Sequence, residues 1–272
     1  DDMLLTFAGF AKNGSKWLAE IMNLTMENFN DRMRNIKISL QTLTPGVLET
    51  IDRKNIQTEK LLSIMDELEN VEVNSELIIG LPGETNQSWI DTLFKHPELG
   101  FDVGRGYPLY VLPNTPMAKQ DYKDKYSIKT KKIILPNNET FEMIYECHSY
   151  DLEEIVNIYM SWWYFNTFYN FGIDKTVNPA TMKVFFATVD DMPLMKSCVD
   201  NARECLYDIF KPEPILHLQG NSYEYIHKNL GRGRELIQMK RNIEQAREEL
   251  GLQFNILNEE RELQSPFARI KQ

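Results

Sequence analysis

The chain has 272 residues, 42% of them hydrophobic, with a formal charge of −10 at pH 7 and a pI near 5.0. That length accommodates one large domain or two small ones, and the acidic balance disfavours non-specific nucleic-acid binding because it repels phosphate. No apolar run approaches the ~20 residues of a membrane span, no secretory leader pattern is visible, and the odd, sparse cysteines Cys147, Cys198 and Cys205 argue for a reducing, cytoplasmic compartment over a disulfide scaffold.

In chain order, Leu4–Ala8 reads as a short strand. Ser15 is placed to cap a helix through Phe29, with Trp17, Leu18, Ile21 and Leu24 spaced for one buried face. Ile36–Leu40 alternates as a second strand. Thr44-Pro45 opens a short helix, with Thr as N-cap and Pro at the first helical position. Gln57–Leu68 is a further helix, Val71–Ile79 a third strand and Thr85–Phe94 a helix. Val103–Leu112 is a fourth strand, broken by Gly104, Gly106 and Pro108. Strand and helix alternating at this spacing indicate βα units around a parallel sheet, in an open or barrel arrangement.

The pattern changes after residue 120. Lys119–Lys132 is polar and lysine-rich, as in a linker, and Ile133–Leu135 with Glu139–Tyr145 reads as a hairpin. Leu152–Phe171 is a long helix with an aromatic stripe from Trp162 to Phe171, expected to be core or interface packing. Asp190–Phe210 and Ser222–Leu250 are two more helices, the last stopped by Gly251. Cys198 and Cys205 share a helix face as buried thiols rather than metal ligands, and Cys147-His148 carries no ligand spacing. Arg232 and Arg234, beside Gly231 and Gly233, read as a solvated loop rather than an anion site. The expected fold class is α/β: a partial (β/α) barrel with parallel strands over residues 1–120, then a mostly helical domain over 121–272.

Three segments fall at the ends of expected strands: Ser39-Leu40-Gln41-Thr42-Leu43 with Ile51-Asp52-Arg53, Glu76 through Thr85, and Tyr107 through Pro116. Ligands of parallel β/α folds sit beyond those ends. Gly80 and Gly83 permit close backbone approach, and Glu84 stands where a carboxylate complements a helix dipole. Arg53 suits bidentate pairing with a carboxylate, and Gln41 and Glu76 suit hydrogen bonds to sugar hydroxyls. Glu76 in an apolar strand is costly to bury unpaired, so it is expected at a cleft or beside a cation.

Together these residues resemble the radical S-adenosylmethionine (SAM) superfamily, in the branch with Leu-Gln-Thr-Leu and Gly-Leu-Pro-Gly-Glu-Thr signatures that includes coproporphyrinogen-oxidase-like and cobalamin-dependent members. The resemblance covers roughly residues 3–118. Phe7–Asn13 resembles the family's third barrel strand and loop, and Ser39–Arg53 its fourth strand and following helix. The resemblance implies that Gln41 and Arg53 contact SAM, that Glu76 meets its ribose, that the Gly80 turn lies alongside, and that backbone around Leu112 edges the adenine. It implies SAM, a [4Fe–4S] cluster and, in the cobalamin-dependent members, cobalamin as cofactors, with a small-molecule or peptide substrate.

These residues hold no Cys-x3-Cys-x2-Cys loop, the motif with which the family binds its cluster. The resemblance therefore implies that the cluster ligands and the first two strands come from a missing N-terminal half or a partner subunit. The beginning at Asp1-Asp2 without Met reads as a processed product or fragment. Two readings follow. One is a piece of an enzyme that forms a 5′-deoxyadenosyl radical, inactive by itself. The other is a degenerate, non-catalytic β/α module serving in binding or assembly.

Overall fold

The computed structural model describes residues 5–7, 17–29, 33–68, 72–134, 138–166, 186, 190, 193–213 and 216–217. The first part is a four-stranded, wholly parallel sheet in the order β1 (Leu5–Phe7), β2 (Met33–Gln41), β3 (Glu72–Ile79) and β4 (Val103–Pro108). Helix α1 (Leu18–Phe29) joins β1 to β2; α2 (Pro45–Thr50) and α3 (Thr58–Asp66) lead to β3; α4 (Asn86–Glu98) leads to β4. Alternate residues of β2 and β3 make one apolar face: Ile36, Ile38 and Leu40 beside Val73, Leu77 and Ile79, all buried.

The strand that begins at Val103 runs unbroken through Gly104 and Gly106, which corrects the expected break at these glycines. Their missing side chains admit aromatic rings from α6 (Leu152–Phe165). A Cβ on Gly106 would stand 2.6 Å from Trp162, and one on Gly104 would stand 2.8 Å from Phe165. The strand ends at Pro108 instead, and β5 (Tyr110–Val111) enters a second sheet.

That sheet has the order β5-β7-β6-β8, with β6 (Lys129–Ile134) and β7 (Thr140–Glu146) forming the expected hairpin and β8 (Leu216–His217) pairing parallel to β6. The lysine-rich stretch 119–132 is therefore not a linker. It forms α5 (Gln120–Lys125) and most of β6. Three of its six lysines are tied down by tertiary contacts: Lys123 and Lys129 pair with Glu142 and Glu146, and the buried Lys131 donates to the carbonyls of Ile209 and Lys211.

Helix α6 begins at Asp151, whose carboxylate accepts from the Glu154 N–H at 2.9 Å. It is buried almost throughout, between α4 through Trp89–Trp162 and α7 (Pro193–Phe210) through Tyr159–Phe210. The stripe from Trp162 to Phe165 is core packing, as expected; its continuation to Phe171 lies outside the described residues, as do the 222–250 helix and Arg232 and Arg234. On α1 the expected buried face is reversed: Trp17, Ile21 and Leu24 are exposed, while Ala19 is buried and Asn23 donates to the Glu67 carbonyl. The spacing marks an apolar stripe, but the small Ala19 is the residue that joins the core. Among the described residues, no helix is long and apolar enough to cross a membrane.

Candidate functional site

The face of the parallel sheet opposite the apolar one is mostly polar, with Val103 and Ile78 as its apolar members. Lys37 and Ser39 on β2, Glu72, Asn74 and Glu76 on β3, and Arg105 and Tyr107 on β4 alternate with the buried apolar residues and fall on this second face. Parallel sheets ordinarily bury both faces in aliphatic side chains. A polar second face therefore marks the side that meets a ligand or water.

Glu76 is the centre of the upper part of this face. Ser39, opposite it in register, donates its hydroxyl to Glu76 Oε2 at 2.6 Å. Tyr107 donates more loosely to Oε1 at 3.5 Å. A half-buried carboxylate held on one oxygen by a short bond retains acceptor capacity on the other. Arg53 reaches the same strand end from the loop after α2, donating from Nη2 to the Ser39 carbonyl at 2.5 Å and from Nε to Asn55 Oδ1 at 3.3 Å. Asn55 in turn donates to the Thr42 carbonyl at 2.8 Å. Burial alone pushes the Arg53 guanidinium below its ordinary value. Gln41 lies at the same strand end with φ 67°, where a register shift sets it opposite Leu77 and out of the regular alternation. The structure thus links Arg53 and Glu76 through Ser39, and brings Gln41 to the same end of β2, paired with Leu77 rather than with Glu76.

Gly80 and Leu112 stand apart from this cluster. Gly80 has φ 84°, and a Cβ there would lie 2.8 Å from Ile155 Cδ1. Its carbonyl accepts from the Tyr150 hydroxyl at 2.7 Å. The close approach at Gly80 is therefore to α6 and the segment before it. Leu112 follows β5, is 51% exposed, and its carbonyl accepts from the Thr115 hydroxyl at 2.7 Å. The strand switch at Pro108 accounts for this displacement.

Glu84 is fully buried rather than poised at an open helix end. Thr42 and Thr44 donate to its carboxylate at 2.9 and 2.8 Å, and Ser88 donates from the first turn of α4. Thr44 begins α2 without a side-chain cap because its hydroxyl is spent on Glu84. Desolvation raises the Glu84 carboxyl above its ordinary value, against the lowering by the three hydroxyls. The carboxylate ties the loop after β2 to the turn after β3, which places the two strand ends that carry the site.

Sequence reasoning passed over Ser39 and Tyr107 as individual site residues, and Lys37, Asn74 and Arg105 altogether. The signal was present in the alternation of β2 and the first half of β3, where Lys37, Ser39 and Gln41, and Glu72, Asn74 and Glu76, fall at every second position. For SAM, the residues fit: an anchored carboxylate with a spare acceptor and a half-buried Gln stand at the ends of parallel strands. For an iron–sulfur cluster they do not. Cys147 is buried beside Ser149 and Cys205 lies on α7, and no group of ligating side chains occurs among the described residues.

No family model matches the chain. It is 32% identical over 152 residues to the cobalamin-dependent radical SAM methyltransferase TokK of Streptomyces tokunonensis, covering 52% of this chain and 22% of that protein. It is 40% identical over 83 residues to a tRNA-2-methylthio-N(6)-dimethylallyladenosine synthase of Psychrobacter arcticus, covering 30% of this chain and 16% of that one. Among solved structures, the radical SAM methyltransferase TsrM of Kitasatospora setae superposes with a TM-score of 0.43 at 13% identity, over 87% of this chain and 47% of that one. The chain spans less than a quarter of the length of these curated relatives.

Proposed function

We propose that this chain, whose homologues include radical SAM enzymes, supplies the SAM-orienting surface of such an enzyme. The observation that carries the reading is the Ser39–Glu76–Tyr107 cluster in the C-terminal halves of three adjacent parallel strands. Glu76 accepts from the ribose hydroxyls, with Ser39 fixing its rotamer. Gln41 offers an amide to the same ligand. Arg53 acts through the backbone: it holds the Ser39 carbonyl and so sets the position of the hydroxyl that orients Glu76. When bound, SAM supplies the sulfonium that one-electron reduction splits to a 5′-deoxyadenosyl radical. These residues include no cysteine triad for a [4Fe–4S] cluster, so no electron-transfer step is assigned to them. The TokK relationship favours cobalamin as a further cofactor and methyl transfer as the reaction class.

The test is anaerobic reconstitution of the intact protein with iron and sulfide, followed by equilibrium binding of SAM. Thiolate-to-iron absorbance together with saturable SAM binding is expected. An intact protein that binds SAM without taking up iron is the non-catalytic module, and one that binds neither refutes the reading.

A further inference from the structure

We propose that Asn74, flanked by Lys37 and Arg105, forms a second subsite on the polar face that takes a carboxylate carried beside an N–H, as in an N-acyl amino acid. The subsite rests on the reading that Glu76 holds SAM, and it adds the chemical class of a second ligand.

Asn74 is 0% exposed, and among the described residues neither its Oδ1 nor its Nδ2 has a hydrogen-bond partner. Burying an amide without partners is costly, and such groups are rare enough to demand a cause. Its place in the sheet gives one. Lys37 lies directly opposite Asn74 on β2, and Arg105 lies on β4 opposite Glu76, one step up the same face. Both cations are half-buried, and among the described residues neither makes an ion pair or a side-chain hydrogen bond. Glu76 does not neutralise Arg105, since the bonds it accepts come from Ser39 and Tyr107.

The unmet groups define the ligand. Lys37, Arg105 and Asn74 Nδ2 are donors that a carboxylate accepts from. Asn74 Oδ1 is an acceptor that requires an N–H. Glu72 and Glu76 lie on the same face on either side of Asn74, so a dianion such as a phosphate monoester would meet like charge. A single carboxylate carries half that charge, which Lys37 and Arg105 offset, and the N–H beside it meets the acceptor Asn74 Oδ1. Asn74 stands two residues before Glu76, about 7 Å toward the N-terminal end of β3 at the usual strand rise. A molecule held by its ribose at Glu76, on the C-terminal side of Asn74 along β3, has its sugar above this level. The carboxylate below it belongs to a second molecule, the substrate. The methionine end of SAM carries the same chemistry, and the experiment separates the two.

The probe is N-acetylglycine, titrated by ligand-observed NMR into the intact protein, with N-acetylglycine methyl ester as the uncharged control. SAM affinity and melting temperature are measured on the same samples. Asn74→Leu, Lys37→Met and Arg105→Met are each expected to weaken N-acetylglycine by about tenfold. SAM affinity should stay within about twofold, the size of an indirect effect, and Asn74→Leu should melt no lower than wild type. The proposal is overturned if the ester binds wild type as well as the acid does. It is overturned equally if the variants weaken SAM and N-acetylglycine in parallel, because the carboxylate is then SAM's own. A marked fall in melting temperature in Asn74→Leu makes the amide a structural group and also ends the proposal; Lys37→Met reads the subsite without touching that amide. Absence of SAM binding to wild type refutes the cofactor reading alone, and the subsite is then decided by the acid–ester comparison.

Discussion

Acidification should weaken this fold through one identifiable residue, His96. It is fully buried on α4, stacked on Phe101 at 4.9 Å and edge-on to Phe165 at 5.4 Å. Desolvation pushes its imidazole from 6.5 down to about 3, offset only in part by the backbone of Val103. A depressed folded value means the neutral ring is the one the fold accepts. Its contribution is fully present above the unfolded value of 6.5 and is lost as pH falls from there toward about 3. At about pH 5 the linkage relation gives a loss of about 2 kcal/mol relative to neutral pH, at about 1.4 kcal/mol per unit. Urea unfolding at about pH 7.5 and about pH 5, for wild type and His96→Phe, isolates this contribution from that of the carboxylates. The variant should lose about 2 kcal/mol less than wild type between the two conditions. Equal losses in both proteins would refute the reasoning, because the imidazole would then be protonated in the fold without penalty.

Three other perturbations follow from the packing. Gly106→Ala places a Cβ at 2.6 Å from Trp162 and should cost about 1–3 kcal/mol by overpacking, read as a lower urea midpoint at unchanged slope. Glu84 has the opposite sign from His96: its raised carboxyl favours the protonated fold, a contribution present below the ordinary value of 4.5 and lost as pH rises through the folded value. Wild type should therefore lose stability relative to Glu84→Gln between about pH 4.5 and about pH 7.5, measured by the same melts. Arg53→Lys gives up the planar fork that reaches both the Ser39 carbonyl and Asn55 and should cost about 1–2 kcal/mol of stability. It should also weaken SAM, an effect that Glu76→Gln largely masks in a double-mutant cycle.

The alternation of Ile36, Ile38 and Leu40, and of Val73, Leu77 and Ile79, is local, and it made β2 and β3 legible in the sequence. Thr44-Pro45 and Thr85 likewise announced α2 and α4. What stayed hidden depends on contacts distant in the chain. Gly104 and Gly106 resemble strand breakers until Trp162 and Phe165 are seen to fill the space above them. Lys123, Lys129 and Lys131 resemble a solvated linker until their partners on β7 and at the end of α7 are in place. An apolar stripe on α1 specifies a face but not which face the sheet covers. At the site, the spacing of Gln41, Arg53 and Glu76 was readable from family resemblance. That Arg53 and Glu76 meet at Ser39 was not, because it is a matter of strand register, and the unmet amide of Asn74 has no local signature.

The account centres on Glu76 as the carboxylate that holds the ribose of SAM, and SAM titration of the intact protein against Glu76→Gln tests it most directly. The amide keeps the size of the side chain and removes its charge. A loss of about 1.5–3 kcal/mol, the usual worth of a hydrogen bond to a charged group, corresponds to about 10- to 100-fold weaker binding, with the melting temperature little changed. SAM affinity within about twofold of wild type in a folded Glu76→Gln protein would contradict it.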